Sequence, residues 1–314
     1  MSAPEISIVI PMYNESDNLE SLFTQISEVM AGITREYELV CVNDGSSDDT
    51  LARLLRHRED DSRIVVVDLA RNFGKDIALS AGLDYSRGEA VIPMDADLQD
   101  PPELIVDFVG KWREGYDVVY AQRRTRQGET VVKLASANLF YKVLNRLSDT
   151  PIPPNTGDFR LMDRRVVDAL GRLPERTRFM KGLFAWVGFR QTAIPFDREP
   201  RLAGRSKWSY LKLWRFALDG IASFSTTPLK VWGYLGGVIA FCSFLYLLFL
   251  LGRTLLHGVD VPGYASLMVV VLFLGGIQLL GIGILGEYVG RIFTETKQRP
   301  LYLVRSLHRD EVGD

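Results

Sequence analysis

The sequence predicts a doubly wound α/β domain followed by a two-helix membrane hairpin. Two observations carry that reading. From residue 6 to about residue 121, short apolar runs alternate with amphipathic helical patterns, the signature of βαβ units and a parallel sheet. Further on, residues 231–251 and 264–286 contain no Asp, Glu, Lys or Arg, and each is long enough to cross a bilayer. The whole chain of 314 residues is 47% hydrophobic, yet its charges are at an ordinary globular density outside those two stretches. A net charge of −2 offers no basic excess for nucleic acid. Disorder, a collagen-like repeat and a purely soluble chain are excluded on composition.

The elements follow in order. Residues 6–10 read as a buried strand and 17–30 as a helix, with Asp17 or Asn18 as its cap. Residues 37–42 form a second strand, and 47–58 a helix capped by Ser47. A third strand at 64–69 precedes a helix at 73–85, and a fourth strand at 90–94 runs into Asp95-Ala96-Asp97. Pro101 and Pro102 open the next helix, since proline fits a first turn. A fifth strand spans 117–121, a helix 131–147, further helix 163–187 and a late strand 191–196. Cys41 and Cys242 read as two buried thiols, too far apart in sequence to frame a disulfide or metal site.

Between 198 and 215 six Lys/Arg face the single acid Glu199, and Leu211, Trp214, Leu218, Ile221 and Phe224 follow at helical spacing. This stretch reads as a helix lying in the membrane interface or as an ordinary amphipathic helix packed on the domain. Arg215, Lys230, Arg291, Lys297 and Arg299 flank the hairpin, while its loop holds one Arg and one Asp. The positive-inside rule then puts both termini in the cytoplasm. Gly233/Gly237 and Gly286/Gly290 have the spacing of close helix contacts, either within the hairpin or between copies in a homo-oligomer. A GxGxxG match at 281–286 lies inside an apolar span with no strand before it, so it carries no nucleotide site.

In an open α/β sheet, ligands bind at the carboxyl ends of the strands. The polar clusters fall there. Asp95 and Asp97, two apart at a strand end, would repel each other without a cation; a hard divalent ion, Mg²⁺ or Mn²⁺, resolves that and leaves positions for substrate phosphate. PMYNE (11–15), NDGSSD (43–48) and RNFGK (71–75) follow the first three strands. Each suits a tight strand-to-helix turn, and together they place acceptors at one edge. Asp44 is placed to accept a base N–H, and Lys75 to meet phosphate.

PMYNE, NDGSSD, DADLQDPPE and TGDFRLM, in this order, resemble the family 2 glycosyltransferases with a GT-A (Rossmann-like) fold. The pattern Arg201-x-x-x-Arg205-Ser206-Lys207-Trp208 and the close GEYVGRIFTETKQRPLY narrow the resemblance to polyprenyl-phosphate sugar transferases: bacterial bactoprenol glucosyltransferases and dolichol-phosphate mannose synthase relatives. The QxxRW signature of processive synthases is missing. The resemblance implies a catalytic GT-A domain over 1–205, amphipathic interfacial helices over 206–229, two transmembrane helices within 230–290 and a cytoplasmic tail over 291–314. It implies that Pro11, Tyr13, Glu15, Asp44, Lys75 and Asp95 bind the donor; that Asp95, Asp97 and Gln99 bind the metal and diphosphate; and that Asp158 and Asp97 are catalytic. Arg205 and Lys207, with Arg123, Lys133 and Ser136, would hold the acceptor phosphate; Arg123, Arg124 and Arg126 compete for one role. The implied reaction moves a hexose from a nucleoside diphosphate, UDP-glucose foremost, to polyprenyl (undecaprenyl) phosphate at the cytoplasmic face of the inner membrane, with inversion. GDP-mannose, an amino-arabinose or an N-acetylhexosamine donor is the rival within the class, and a non-catalytic nucleotide-binding scaffold the rival outside it.

Overall fold

The computed structural model describes residues 4–124, 153, 155–176, 178–197, 227–257 and 263–310. The helix expected at 131–147, the basic and amphipathic stretch 198–226, and Lys133, Ser136, Arg126, Arg201, Arg205 and Lys207 lie outside them.

The order is β1 (Ile6–Met12), α1 (Leu19–Ala31), β2 (Tyr37–Asn43), α2 (Thr50–Asp60), β3 (Ile64–Leu69), α3 (Lys75–Tyr85), β4 (Ala90–Pro93), α4 (Leu104–Arg113) and β5 (Val118–Arg123). Then come β6 (Thr156–Asp163), α5 (Arg164–Gly171), α6 (Met180–Trp186), β7 (Gln191–Phe196), α7 (Thr227–His257), α8 (Tyr264–Thr296) and β8 (Val304–His308). One sheet of eight strands runs β7-β5-β6-β4-β1-β2-β3-β8. The strands read as continuous apolar runs because both faces are covered. Ile6, Ile8 and Ile10 pack with Leu22 and Ile26 of α1 and Phe108 of α4 on one face. Val9, Val40 and Val67 pack with Leu79 of α3, Val166 of α5 and Leu183 of α6 on the other. Gly82 lets α3 sit directly on β1: a Cβ there would overlap Val9 Cγ1.

The sheet is mixed, where the sequence pattern predicts a parallel one. β1 is parallel to β2 and β4, but β6 runs antiparallel to β4 and β5, and β8 antiparallel to β3. β6 is not among the strands that the sequence predicts, and its direction is set by its pairing with β4 and β5. Several local readings also change. Pro101 and Pro102 form a turn before α4, their carbonyls accepting from Leu104 and Ile105. Residues 163–187 hold two helices with a break between them. Cys41 is buried, but Cys242 is exposed on α7.

The tail at 291–314 divides. Its first residues finish α8, and residues 304–308 return to the domain as the edge strand beside β3. Tyr302 Oη donates to Asp84 at 2.8 Å and Arg305 pairs with buried Asp68 at 3.2 Å, fixing the return.

The helices of 31 and 33 residues, α7 and α8, carry exposed apolar side chains such as Tyr234, Phe241, Phe273 and Leu279. Phe273–Thr296 is the segment among the described residues that is long and apolar enough to cross a bilayer; Val231–Tyr246 on α7 is a shorter apolar one. The GxGxxG match is helical throughout, and a Cβ at Gly281 would overlap the Trp232 indole, so that glycine serves helix contact.

Candidate functional site

The strand order reverses at β1: β2 and β3 lie on one side of it and β4 on the other. Such a switch point opens a crevice beyond the carboxyl ends of the strands. The turns there are tied to one another. Asn14 takes a left-handed backbone, φ 57°, and its Oδ1 accepts from the Ser47 N–H at 2.8 Å. Ser47 is thus bonded across to the first turn and does not cap α2, which begins at Thr50. Asn43 Nδ2 donates to Asp68 at 2.7 Å, and Asn18 Nδ2 to Glu15 at 2.6 Å. Gly45 has φ +64°, and a Cβ there would lie 2.5 Å from the Arg71 carbonyl carbon and Asn72 N. Only glycine lets the second and third turns close this tightly.

Asp44 is buried, and its two oxygens accept from the backbone N–H of Phe73 at 2.7 Å and Gly74 at 2.9 Å. Burial pushes its carboxyl up, and those N–H bonds and Arg71 only partly offset this. A carboxylate has further lone pairs, so this bonding leaves room for one more donor. The bonds also fix where α3 starts, and hence where Lys75, its first residue, points.

Lys75 is the centre of the site. Its Nζ lies 2.6 Å from one Asp95 oxygen and 2.9 Å from the other, and 2.8 Å from Asp158 Oδ2. In the chain without ligand the ammonium therefore bridges two carboxylates, where the sequence led us to expect it on phosphate. Asp158 reaches this edge because β6 is antiparallel: its beginning lies beside the end of β4, as the Val91–Met162 and Ala90–Asp163 pairing shows. Burial pushes the Asp158 carboxyl up, but Lys75, Lys181 and Arg160 outweigh it and hold the group down at about 2. Lys75 is held firmly protonated, since Asp158 and Asp95 overcome the cost of its burial. The neighbouring Asp76 is pushed up to about 6, by burial first and by the Asp158 charge second. Arg160 is buried, donates to the Gly157 carbonyl at 2.8 Å and lies 3.9 Å over the Phe184 ring. Burial lowers its guanidinium to about 10 against the pull of Asp158.

Of the residues the sequence singled out, Asp44, Lys75, Asp95 and Asp158 are brought together. Asp97 lies on the same loop, its Oδ1 accepting from the Gln99 N–H at 3.3 Å across Leu98, which has φ 53°. Gln99 itself is buried. Pro11 ends β1 with Met12, and Tyr13 beyond it is exposed. Arg123 closes β5, its N–H bonded to the Asn155 carbonyl at 3.1 Å. Arg124 lies 3.9 Å from Asp197. Sequence reasoning missed Asp76, Arg160 and Lys181. Arg160 stood inside the quoted TGDFRLM and Asp76 beside Lys75, but no motif marks Lys181.

The donor set suits a hard divalent cation. Asp95 and Asp97 supply carboxylate oxygens, and a cation, the Lys75 ammonium, already lies against Asp95. Among the described residues no three His, Cys, Asp or Glu side chains form a ready cage.

The pattern of glycosyl transferase family 2 matches residues 7–171, and that of the GtrB C-terminal hairpin matches residues 227–292. An uncharacterized glycosyltransferase of Synechocystis sp. is 64% identical over 303 residues, covering 96% of this chain and 95% of that one. The uncharacterized glycosyltransferase YkcC of Bacillus subtilis is 46% identical over 96% of this chain and 93% of its own. The SfII prophage-derived bactoprenol glucosyl transferase of Shigella flexneri is 46% identical over 97% of this chain and 99% of its own. With its sheet, its switch-point carboxylates and these matches together, the chain belongs to glycosyl transferase family 2: it is a glycosyltransferase built on a GT-A domain and a C-terminal helical hairpin.

Proposed function

We propose that this chain transfers a hexose, glucose from UDP-glucose, to polyprenyl phosphate at the cytoplasmic face of the membrane, with inversion at the anomeric carbon. The Lys75–Asp95–Asp158 cluster at the switch point carries the reading, supported by the exposed apolar hairpin in the same chain. The bactoprenol glucosyl transferase relatives support the acceptor and the sugar.

Asp44 would receive the base, with the exposed Tyr13 ring, Pro11 and Glu15 beside it. Asp95 and Asp97, with Gln99, would hold Mg²⁺ or Mn²⁺, which when bound neutralises charge on the departing diphosphate. Lys75 is bound to Asp95 and so is within reach of the same phosphates. The acceptor, a phosphate monoester with a second pKa of about 6, is already largely ionised at neutral pH. Asp158 stays ionised, and its work is to orient the acceptor and stabilise positive charge on the sugar rather than to remove a proton. Arg123, with Lys133, Ser136, Arg205 and Lys207, would hold the acceptor phosphate; holding two anions in register is where much of the rate arises. The hairpin keeps the catalytic edge beside an acceptor whose tail stays in the bilayer, and a homo-oligomer packed through its glycines fits the same picture.

The test is transfer of radiolabel from UDP-glucose, GDP-mannose or UDP-N-acetylglucosamine into the organic phase, using full-length protein in detergent, undecaprenyl phosphate and Mg²⁺ or Mn²⁺. Label from UDP-glucose, lost in Asp97→Ala, supports the proposal. Label from another donor only corrects the sugar. No transfer and no nucleotide binding would sink it.

A further inference from the structure

Where α8 ends, the chain turns back beneath the catalytic domain. A cavity of about 280 Å³ lies between that end and the start of α3. Ile77, Phe293 and Leu301 give it apolar walls, and Arg176, Lys297 and Arg299 are its cations. Its frame is held together. The Glu295 carboxylate accepts from the Arg176 backbone N–H at 2.9 and 3.0 Å, and the Arg176 guanidinium donates to the Arg299 carbonyl. Glu295 is thereby turned to the chain before α6. The Lys297 ammonium lies 4.0 Å over the Phe293 ring.

Three cations around an apolar-walled space call for an anion that carries apolar substance with it. Its position narrows the class. Lys297 follows directly on α8, whose apolar segment Phe273–Thr296 carries Glu287, Arg291 and Glu295 toward this end, so the cavity stands on the charged, headgroup side of that helix. We propose that this cavity is a binding site for the headgroup phosphate of an anionic phospholipid, whose acyl chains run along α8. The proposal rests on the membrane reading of the hairpin. The bound lipid sets the height of the catalytic edge, because Ile77 stands two residues from Lys75 on α3: occupancy clamps the end of α8 to the helix that carries the central ammonium.

The experiment uses the full chain in detergent, titrated separately with short-chain phosphatidylglycerol, phosphatidylcholine of the same length and inorganic phosphate, with co-flotation on phosphatidylcholine vesicles measured in parallel. Phosphatidylglycerol is expected to bind at one site per chain, and phosphatidylcholine is not. The double substitution Lys297→Gln with Arg299→Gln is expected to weaken phosphatidylglycerol roughly 30-fold with an unchanged melting temperature. Lys297→Arg with Arg299→Lys is expected to retain binding. Equal affinity in the Gln variant, or no preference for phosphatidylglycerol, overturns the proposal. Inorganic phosphate binding as tightly as the lipid also overturns it and assigns the cavity to a soluble anion. Failure to float on any vesicle rejects the membrane reading itself; flotation without lipid preference rejects the headgroup site alone.

Discussion

Replacing Lys75 with Met removes the ammonium and keeps its length, so it isolates the charge that Asp95 and Asp158 share. Asp158 is held at about 2, against about 3.9 in an unfolded chain. A carboxyl lowered by folding contributes stability that is present above the unfolded value and is lost as pH falls through the folded one. Two units correspond to about 2–3 kcal/mol at neutral pH, and Lys75 is the largest of the groups lowering that carboxyl. Without it, desolvation is opposed only by Lys181 and Arg160, and the Asp158 carboxyl moves up. The variant should melt roughly 5–10 °C below the parent near pH 7.5. That gap should narrow as pH falls to about 5, because the stranded carboxylate can then take a proton. The assay is thermal melting of the full chain in detergent across that range, with Lys111→Met, whose ammonium pairs with Glu114 on the surface, as a control expected to change nothing measurable. A gap of the same size at both ends of the range, or none at all, would refute the account of Lys75 as the counter-ion of the site.

Asp76 works in the opposite sense. Its carboxyl is raised to about 6, so the folded chain binds a proton that the unfolded chain has already lost between about pH 4 and 6, and stability falls as pH rises through that window. Asp76→Asn should flatten that slope and raise stability at pH 7 by about 1–2 kcal/mol, read by melting at several pH values. Gly45→Ala should cost about 2–3 kcal/mol and weaken nucleotide binding, from its positive φ and the 2.5 Å approach to Arg71 and Asn72; calorimetric titration with UDP checks it, and wild-type affinity would refute it. Asp158→Asn should lower turnover by roughly 10²-fold with little change in donor affinity, because the group acts on charge that develops in the transition state. Near-normal turnover would reject both roles assigned to Asp158.

Much of the fold was legible because local chemistry and tertiary structure agree along the first half of the chain. β1, α1, β2, β3 and α3 stand within a few residues of where apolar alternation puts them, since each strand is buried on both faces and each helix on one. The helix starts were less legible. Ser47 reads as a cap, yet its N–H is used across the turn by Asn14, a partner 33 residues away that no local pattern reveals.

The same division runs through the site. The residue types at Asp44, Lys75, Asp95 and Asp97 follow from the chain itself, because charge repulsion, turn chemistry and strand ends restrict what such clusters can do; Asp158 is marked only by the family resemblance of TGDFRLM. That Lys75 lies between Asp95 and Asp158 depends on β6 running antiparallel, which brings its beginning to the end of β4. Lys181 joins them only because α6 packs on that face. The chain's last strand is the clearest case. Residues 304–308 carry no apolar alternation that marks a strand, and only the open side of β3, and buried Asp68 waiting for Arg305, decide that the end of the chain comes back to the catalytic domain. Composition and periodicity act over a few residues and so determined the elements, the apolar hairpin and the cast of polar groups. Strand direction, long-range pairing and the sharing of charge act across the whole chain, and only the tertiary structure decided those.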